Sequence, residues 1–582
     1  MSGPVEHPSQ EPAQRSTLVP VWTLAILGLV MATAVGMLYF GASAVGATWD
    51  ERIHAVMLGE YFTSGWYASP DWLVNGAPGT FLGKWPYYVY APVAELITQG
   101  FAVLTGAEPW KGFSESPAAY TARHLATGLI ALLGILGSGL ITNLVTRSWR
   151  WGVVGAALVA TTPMWIGHGM FNVKDLPVGT GYTFATLAFV ALCRTNYPRS
   201  WRSSALSILS LIGGIALAVG TRPASGLPIA MTGISLILGA GVYLVIFRAS
   251  PAAFPKLGRR IRDIAIGFIA AYLLLVVIYP KGFINPYTLA KESLLISGRF
   301  PVNDMVLTNG TWLSQPPPWF YLPTWFGSQL TLIVLVFLVI FIVLWLALVA
   351  RTLAARRAVT ASAVESVLLP MPVLLQAFLL PMLAILVHST MYNAVRQFLF
   401  VVPAVAVLAA LGIKATLELL HGDGMPRQTA RIAIWVLVVI GVIAPTVDQI
   451  RLFPYNYVYF NEIATLQPIN GRWATDYWRA SSQELTTIIP STGDESCSYV
   501  TLKKGIQPCG EQSPFIPYWG MRGEAAVPGQ LDQSEYWLVR ENGGDVNMPP
   551  GCTLHDQLVR PLHGQELIIA QVLKCQLPLG PT

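Results

Sequence analysis

The sequence predicts a polytopic α-helical membrane protein of about 11 transmembrane helices, with a small extracytoplasmic C-terminal α/β domain. Three observations carry that expectation. Only 11% of the 582 residues are charged and 53% are hydrophobic, with a mean hydropathy of +0.53. A soluble chain carries about 25% charged residues, so this one cannot cover itself with a hydrated surface. Apolar runs of about 20 residues, enough to cross a hydrocarbon core, recur along the chain. Lys and Arg gather in every second connection between those runs, the signature of cytoplasmic loops. The formal net charge of +6 is therefore topological, and no nucleic-acid partner is expected.

Residues 1–19 are polar and Pro-rich, the pattern of a disordered cytoplasmic tail. The run from Val21 to Phe40 is too long for a signal-peptide core. Small residues at Ala42 and Ala44 leave a cleavage spacing open, but an uncleaved helix is expected because the residues just after it carry chemistry. Spans are read at 20–41, 121–144, 152–168, 177–193, 204–220, 225–247, 263–279, 328–350, 366–387, 398–417 and 431–449. On one side of them fall Arg147 and Arg150; Arg194, Arg199 and Arg202; Arg248, Lys256, Arg259, Arg260 and Arg262. Arg351, Arg356 and Arg357, then Lys414, Arg427 and Arg431, continue the same side. The positive-inside bias makes it cytoplasmic, with the N-terminus inside and the C-terminus outside a plasma (inner) membrane. Trp85 to Thr105 is apolar enough to span, but a span there would put the basic loops outside. It is expected to lie in the outer interface, which Pro86 and Pro92 also suit.

The expected division is a tail at 1–19, a membrane domain at 20–450 with outer loops 42–120 and 281–327, and an outer domain at 451–582. The last segment is polar and Pro/Gly-rich, with strand patterning at Tyr536 to Arg540 and Glu566 to Leu573. Cys193 stands alone at a helix end, whereas Cys497, Cys509, Cys552 and Cys575 all follow the last span. An even set in one polar domain suggests disulfides in an oxidising compartment. Three connectivities remain open, of which Cys497–Cys509 with Cys552–Cys575 is the preferred guess; no CxxC spacing supports a metal site instead.

Four outward segments hold polar groups that are costly at membrane depth. Thr48-Trp49-Asp50-Glu51 follows the first span. Its acidic pair reads either as the opening of a helix running to about Phe62 or as a carboxylate that orients an acceptor hydroxyl. The turn from Pro163 to Pro177 packs His168, Asn172, Lys174 and Asp175 between two spans, more polarity than a structural turn needs. Thr221-Arg222-Pro223 and the stretch from His388 to Gln397, with Tyr392, Asn393 and Arg396, put arginines where the topology disfavours them. Lys174, Arg222 and Arg396 together would suit a phosphate, and snorkelling to lipid headgroups is the plain alternative for each Arg. Tyr87, Tyr88, Tyr90, Trp312, Trp319, Tyr321 and Trp325 read as an interfacial aromatic belt.

Taken in order, these segments resemble one group. They are the acidic residue after the first span, the His168…Asn172-x-Lys174-Asp175-x-Pro177 loop, and Pro318-Trp319-Phe320-Tyr321-x-Pro323-x-Trp325. Tyr392-Asn393-x-x-Arg396-Gln397-Phe398-x-Phe400-x-x-Pro403, Tyr457 to Glu462, and Asp476-Tyr477-Trp478 complete the set. The pattern, over nearly the whole chain, is similar to bacterial GT-C glycosyltransferases of the protein-O-mannosyltransferase and aminoarabinose-transferase-like superfamily (glycosyltransferase family 39-like). The resemblance implies a GT-C fold and a sugar donor on polyprenyl phosphate. It also implies an extracytoplasmic protein, lipid or polysaccharide acceptor. In those terms Asp50 activates or orients the acceptor hydroxyl, with Glu51 in support and Asp175 as a second catalytic acid. Lys174, Arg222 and Arg396 hold the departing phosphate, and His168, Asn172, Tyr392 and Asn393 line the donor or acceptor pocket. A single in-line displacement implies inversion. Gln397 departs from the pattern, which often has His there, and Gly298 to Gln315 matches nothing in it.

No cofactor is required by this reading. Asp50, Glu51, Asp175 and His168 could gather a divalent cation, since the family has metal-dependent and metal-free branches. Two other classes share the membrane organisation: a transporter or flippase for a lipid-linked sugar, and a non-catalytic scaffold whose outer domain binds glycan.

Overall fold

The first apolar run forms α1 (Val21–Ala44). The computed structural model describes residues 19–70, 90–112, 116–194, 197, 200–246, 257–300, 305–355, 361–422, 424–488, 498–501, 505–508, 535–540 and 551–576. Beyond α1, Thr48 starts α2 (Trp49–Ser64), which ends at Gly65 in the left-handed region. A short amphipathic helix, α3 (Val93–Leu104), lies where the interfacial element was expected, with the polar residues Glu95, Thr98 and Gln99 turned inward. There follow α4 (Pro117–Thr146), α5 (Trp149–Ala160), the two-turn α6 (Pro163–Gly169), α7 (Asp175–Cys193) and α8 (Trp201–Val219). Next come α9 (Gly226–Ile246), α10 (Leu257–Ile278) and α11 (Pro286–Gly298). The connection between α10 and α13, expected to face outward, holds α11, the hairpin β1 (Val306–Thr308) with β2 (Thr311–Leu313), and α12 (Tyr321–Gln329). The remaining membrane helices are α13 (Leu332–Ala355), α14 (Ala361–Leu368) running into α15 (Met371–Leu386), α16 (Val401–Leu419) and α17 (Met425–Leu452).

Nine described helices are long and apolar enough to cross a membrane. The expected spans at 152–168 and 225–247 are not among them, although the second is a continuous helix, α9 (Gly226–Ile246). The first is broken into α5 and α6, because Pro163 lacks the N–H a continuous helix needs. Contacts at one end of the bundle still require both segments to carry the chain across. His124, at the start of α4, bonds Glu51 beside the end of α1, and Lys174, just after α6, pairs with Asp50 at that same end. The α4 crossing must therefore be reversed by α5 with α6. Likewise Arg222 after α8 meets Asp175, and Tyr279 after α10 accepts Tyr67 N–H at 3.1 Å near α2, so α9 must cross opposite to α10. The count returns to 11 crossings, of which the one through α5 and α6 is broken and that of α9 is a continuous helix.

Helices α7 and α16 are the most buried spans and form the centre of the bundle. Small residues let neighbours approach. A Cβ at Gly181 would sit 2.6 Å from the Gly214 carbonyl oxygen, so α7 and α8 pack backbone to backbone there.

After α17 come α18 (Ser482–Ile488) and five strands: β3 (Ser498–Thr501), β4 (Gly505–Pro508), β5 (Glu535–Arg540), β6 (Cys552–Leu562) and β7 (Gln565–Gln576). Strands β3 and β4 form one hairpin; β5, β7 and β6 form an antiparallel sheet in that order. Both strands expected from sequence are present. Cys552 and Cys575 are register partners across β6 and β7, while Cys497 and Cys509 lie outside the described residues; Cys193 is free. The β6–β7 turn is His563-Gly564, both at positive φ, which matches a two-residue hairpin loop. Its tip packs on the segment after α17, where Gln565 donates to the Thr465 and Gln467 carbonyls and accepts from Ile469 N–H, and His563 reaches Asp448 of α17 itself.

Candidate active site

Asp50 sits in the first turn of α2, where an acidic side chain complements the exposed N–H groups. Its neighbour Glu51 points the other way. One Glu51 oxygen accepts Thr48 N–H at 2.7 Å and the Thr48 hydroxyl at 2.8 Å; the other meets His124 Nε2 at 2.7 Å. Glu51 thus fixes the start of α2 to α4, and that fixes where Asp50 faces.

The α6–α7 turn supplies the first cation. Asn172 Oδ1 accepts Lys174 N–H at 3.2 Å and Asp175 N–H at 2.8 Å, while its amide nitrogen lies 3.1 Å from His168 Nδ1. This clamp sends the two following side chains in different directions. Lys174 forms an ion pair with Asp50, and Asp175 pairs with Arg222 at 2.7 Å. His168 itself is fully buried among Phe171, Tyr457, Tyr477 and Trp478, so it supports the turn from below.

Arg396 supplies the second contact to Asp50, at 3.4 Å. It opens a single 3-10 turn, and Asn393 and Ala394 before it both adopt positive φ, which turns the chain sharply out of α15. Its guanidinium lies over Trp478 at 4.4 Å and Tyr392 at 4.9 Å, and its Nε is buried without a partner among the described residues. Tyr392 stacks on Phe300 of the second outer excursion, 5.9 Å between centroids, and Asn393 is half-buried beside it. Lys174 lies over the same Trp478, at 5.2 Å, and over Tyr90, at 5.3 Å. Stacked cations of this kind gain about 0.5–2 kcal/mol each.

The resulting cluster sets Asp50 with its two cations beside the Asp175–Arg222 pair. Asp50 is the more open member at 22% side-chain exposure, against 5% for Lys174 and 7% for Arg396. Burial acts to raise its pKa, but Lys174, Arg396 and His54 together hold it well below the usual carboxylate range. His54, one turn along α2, bonds the Tyr67 hydroxyl at 2.7 Å. Burial, then Lys174, pushes its pKa down to about 3, so it is neutral at pH 7.

Arg222 also lines an apolar cavity of about 290 Å³, walled by Val178, Leu227, Leu294, Leu380 and Phe400. Gln397 and Phe398 complete its wall, so the departure at Gln397 falls on this cavity. Asp50, Glu51, Asp175 and His168 do not gather around a common point. Among the described residues the one trio placed for a metal ion is Asp448, Glu462 and His563, elsewhere.

Sequence reading missed three site residues. Trp478 was noted only as part of a motif, yet it underlies both cations. Tyr90 was counted with the interfacial belt, and His54 was not singled out. The i, i+4 spacing of Asp50 and His54 on α2 was the available signal. Tyr87 and Tyr88 lie outside the described residues.

No family model and no curated protein matches the chain. Solved structures similar to it include ArnT from Cupriavidus metallidurans in the apo state, with a TM-score of 0.38 and 17% identity over 74% of this chain and 72% of that one. ArnT from the same organism bound to undecaprenyl phosphate gives 0.38 and 15% identity, over 74% of this chain and 73% of that one.

Proposed function

We propose that the chain is a membrane glycosyltransferase that moves a sugar from a polyprenyl-phosphate donor to an extracytoplasmic acceptor, with inversion. The observation that carries this reading is a partly exposed carboxylate, Asp50, backed by two buried cations, beside an apolar cavity with a third cation in its wall. A polyprenyl phosphate asks for that pair of features: donors for the phosphate and apolar surface for the chain. In the reaction the anomeric C–O bond to phosphate breaks and a new bond forms to the acceptor oxygen. Positive charge develops on the sugar ring and negative charge on the departing phosphate. Lys174, Arg222 and Arg396 stabilise the second, and Asp50 the first.

The depressed pKa sharpens the role of Asp50. A weakly basic carboxylate orients the acceptor hydroxyl by accepting its hydrogen bond and takes the proton late, as the C–O bond forms. A phosphate arriving on Lys174 and Arg396 competes for their charge and so raises the basicity of Asp50 when it is needed. Glu51, Asn172 and His168 act through positions: Glu51 aims α2, and the other two aim Lys174. Asp175 keeps Arg222 in place.

The same reading puts the N-terminus in the cytoplasm and the site and C-terminal domain outside a plasma (inner) membrane, with Cys552 bonded to Cys575 in that oxidising space. Release of polyprenyl phosphate from a panel of polyprenyl-phosphate sugars, with an envelope extract supplying the acceptor hydroxyl, tests it without knowing the acceptor's identity in advance. Asp50→Asn is expected to lower the rate by about 100-fold or more, the scale of a lost charge-stabilising group. Glu51→Gln, which can keep a capping box, is expected to retain the rate within about 10-fold. Donor turnover by a folded Asp50→Asn protein at the wild-type rate would sink the enzymatic reading. It would leave lipid-linked-sugar transport as the competitor.

A further inference from the structure

The last membrane helix, the segment after it and the tip of the β6–β7 hairpin meet at a second polar cluster, remote in sequence from Asp50. Asp448 lies in the final turn of α17, Glu462 precedes the 3-10 turn Ala464–Leu466, and His563 occupies the hairpin turn. Each offers a ligand atom, and these atoms all lie within 4.8 Å of one another. His563 Nε2 is 2.8 Å from Asp448 Oδ2. Arg451 approaches only the other oxygen, Oδ1, at 3.7 Å, and its own side chain is largely in solvent.

A histidine–aspartate pair alone leaves two facts unexplained. The Glu462 Oε2 atom is buried without a hydrogen-bond partner among the described residues. So is the hydroxyl of Tyr459, a fully buried residue whose phenol lies in the field of both Glu462 and Asp448 and whose ring faces His563 edge-on at 6.2 Å. Buried polar atoms of this kind normally mark a missing partner. The hydrogen bond on the far side of the imidazole points the same way. The Thr465 hydroxyl can give its one proton to the Asn461 or Glu462 carbonyl, each 3.2 Å away, and its oxygen then accepts from His563 Nδ1–H at 3.0 Å. Nε2–H donates to Asp448 Oδ2 when no ion is bound, and loss of that one proton frees its lone pair for an ion held between the carboxylates, while Nδ1–H keeps the ring oriented as second-sphere bonds do at metal sites.

We propose that Asp448, Glu462 and His563 bind one divalent cation of the zinc class, with Tyr459 beside the remaining coordination position. One imidazole nitrogen and two carboxylate oxygens suit such an ion, and the two negative charges balance it. The ion staples the hairpin tip of the C-terminal domain to the end of the last span. It takes no part in sugar transfer, so it stands or falls independently of the glycosyltransferase reading.

The test uses the full-length protein in detergent, purified without a polyhistidine tag, and measures metal content by mass spectrometry before and after chelation. About one zinc per chain is expected after reloading with zinc chloride. The reloaded protein is expected to unfold at a higher temperature than the stripped one. His563→Asn keeps a residue that tolerates the positive-φ turn, and Glu462→Gln leaves the turn untouched. Both are expected to weaken zinc binding by at least about 10-fold and to abolish the thermal response. Stripped wild-type protein that takes up neither zinc nor manganese nor calcium overturns the proposal, as does unchanged binding in the two variants.

Discussion

Removing Arg222 separates the two ion pairs of the site, because their burial differs. Asp175 is only 2% exposed at its side chain, and among the described residues Arg222 is its one charged partner at hydrogen-bond distance, with the Asn172 amide at 3.4 Å beside it. Arg222→Met therefore strands a buried carboxylate. Breaking such a pair costs about 3–5 kcal/mol, and the 16% exposure of Arg222 puts this case near the low end, about 3 kcal/mol. Lys174→Met is different, because Asp50 keeps Arg396 and retains water access. Its expected cost is about 1–2 kcal/mol, mainly the ion pair and the two stacked rings. Replacing both charges, as Asp175→Leu with Arg222→Met, removes the stranded group and is expected to recover most of the loss. Thermal unfolding of the detergent-solubilised protein, followed by aggregation, ranks the variants. The expected order of melting temperature is wild type, then Lys174→Met and the double variant, then Arg222→Met lowest. If Arg222→Met melts no lower than Lys174→Met, or the double variant no higher than Arg222→Met, the buried-pair account fails. Donor turnover is expected to fall in all three, since each loses a cation that we propose holds the phosphate.

Glu95, buried in α3 with its Oε1 unpartnered among the described residues, gives a pH-dependent test. Burial pushes its pKa up to about 7, with Glu51 adding and Arg123 opposing. Between its ordinary value of 4.5 and 7 the folded state holds a proton that the unfolded state has released, so stability falls as pH rises through that window. Glu95→Gln is expected to raise the melting temperature at pH 8, relieving up to about 3 kcal/mol, and to change nothing at pH 4; equal effects at both pH values would refute it. Gly167→Ala tests the packing beneath the site. Its Cβ would fall 2.2 Å from the Tyr457 backbone nitrogen, so α6 must shift away from the segment after α17, at a cost of about 1–3 kcal/mol. Both melting temperature and turnover are expected to drop, whereas Gly213→Ala, with nothing within 4 Å, is the silent control.

The membrane bundle was legible because spanning imposes a length and a composition on each helix, and loop charges then order them. The irregular crossing at α5 and α6 was not, since Pro163 breaks the helix while the chain continues across. For the site, the charged residues announced themselves by their cost: Lys174, Arg222 and Arg396 stand out in short loops where the expected topology disfavours cations. Their partners did not. Trp478 is one of 19 tryptophans, and its sequence position gives no hint that two cations lie on it.

The sequence by itself determined that this chain lives in a bilayer, where most of its spans lie, and that an acidic pair opens the helix after the first span. Only the tertiary structure divided that pair, sending Glu51 to His124 and Asp50 to Lys174 and Arg396. The physical reason is the reach of the interactions. Spans follow from local hydropathy, which a window of residues records. An ion pair between Asp50 and Arg396, 346 positions apart, exists only once the helices have packed, and no local pattern encodes which charge will meet which.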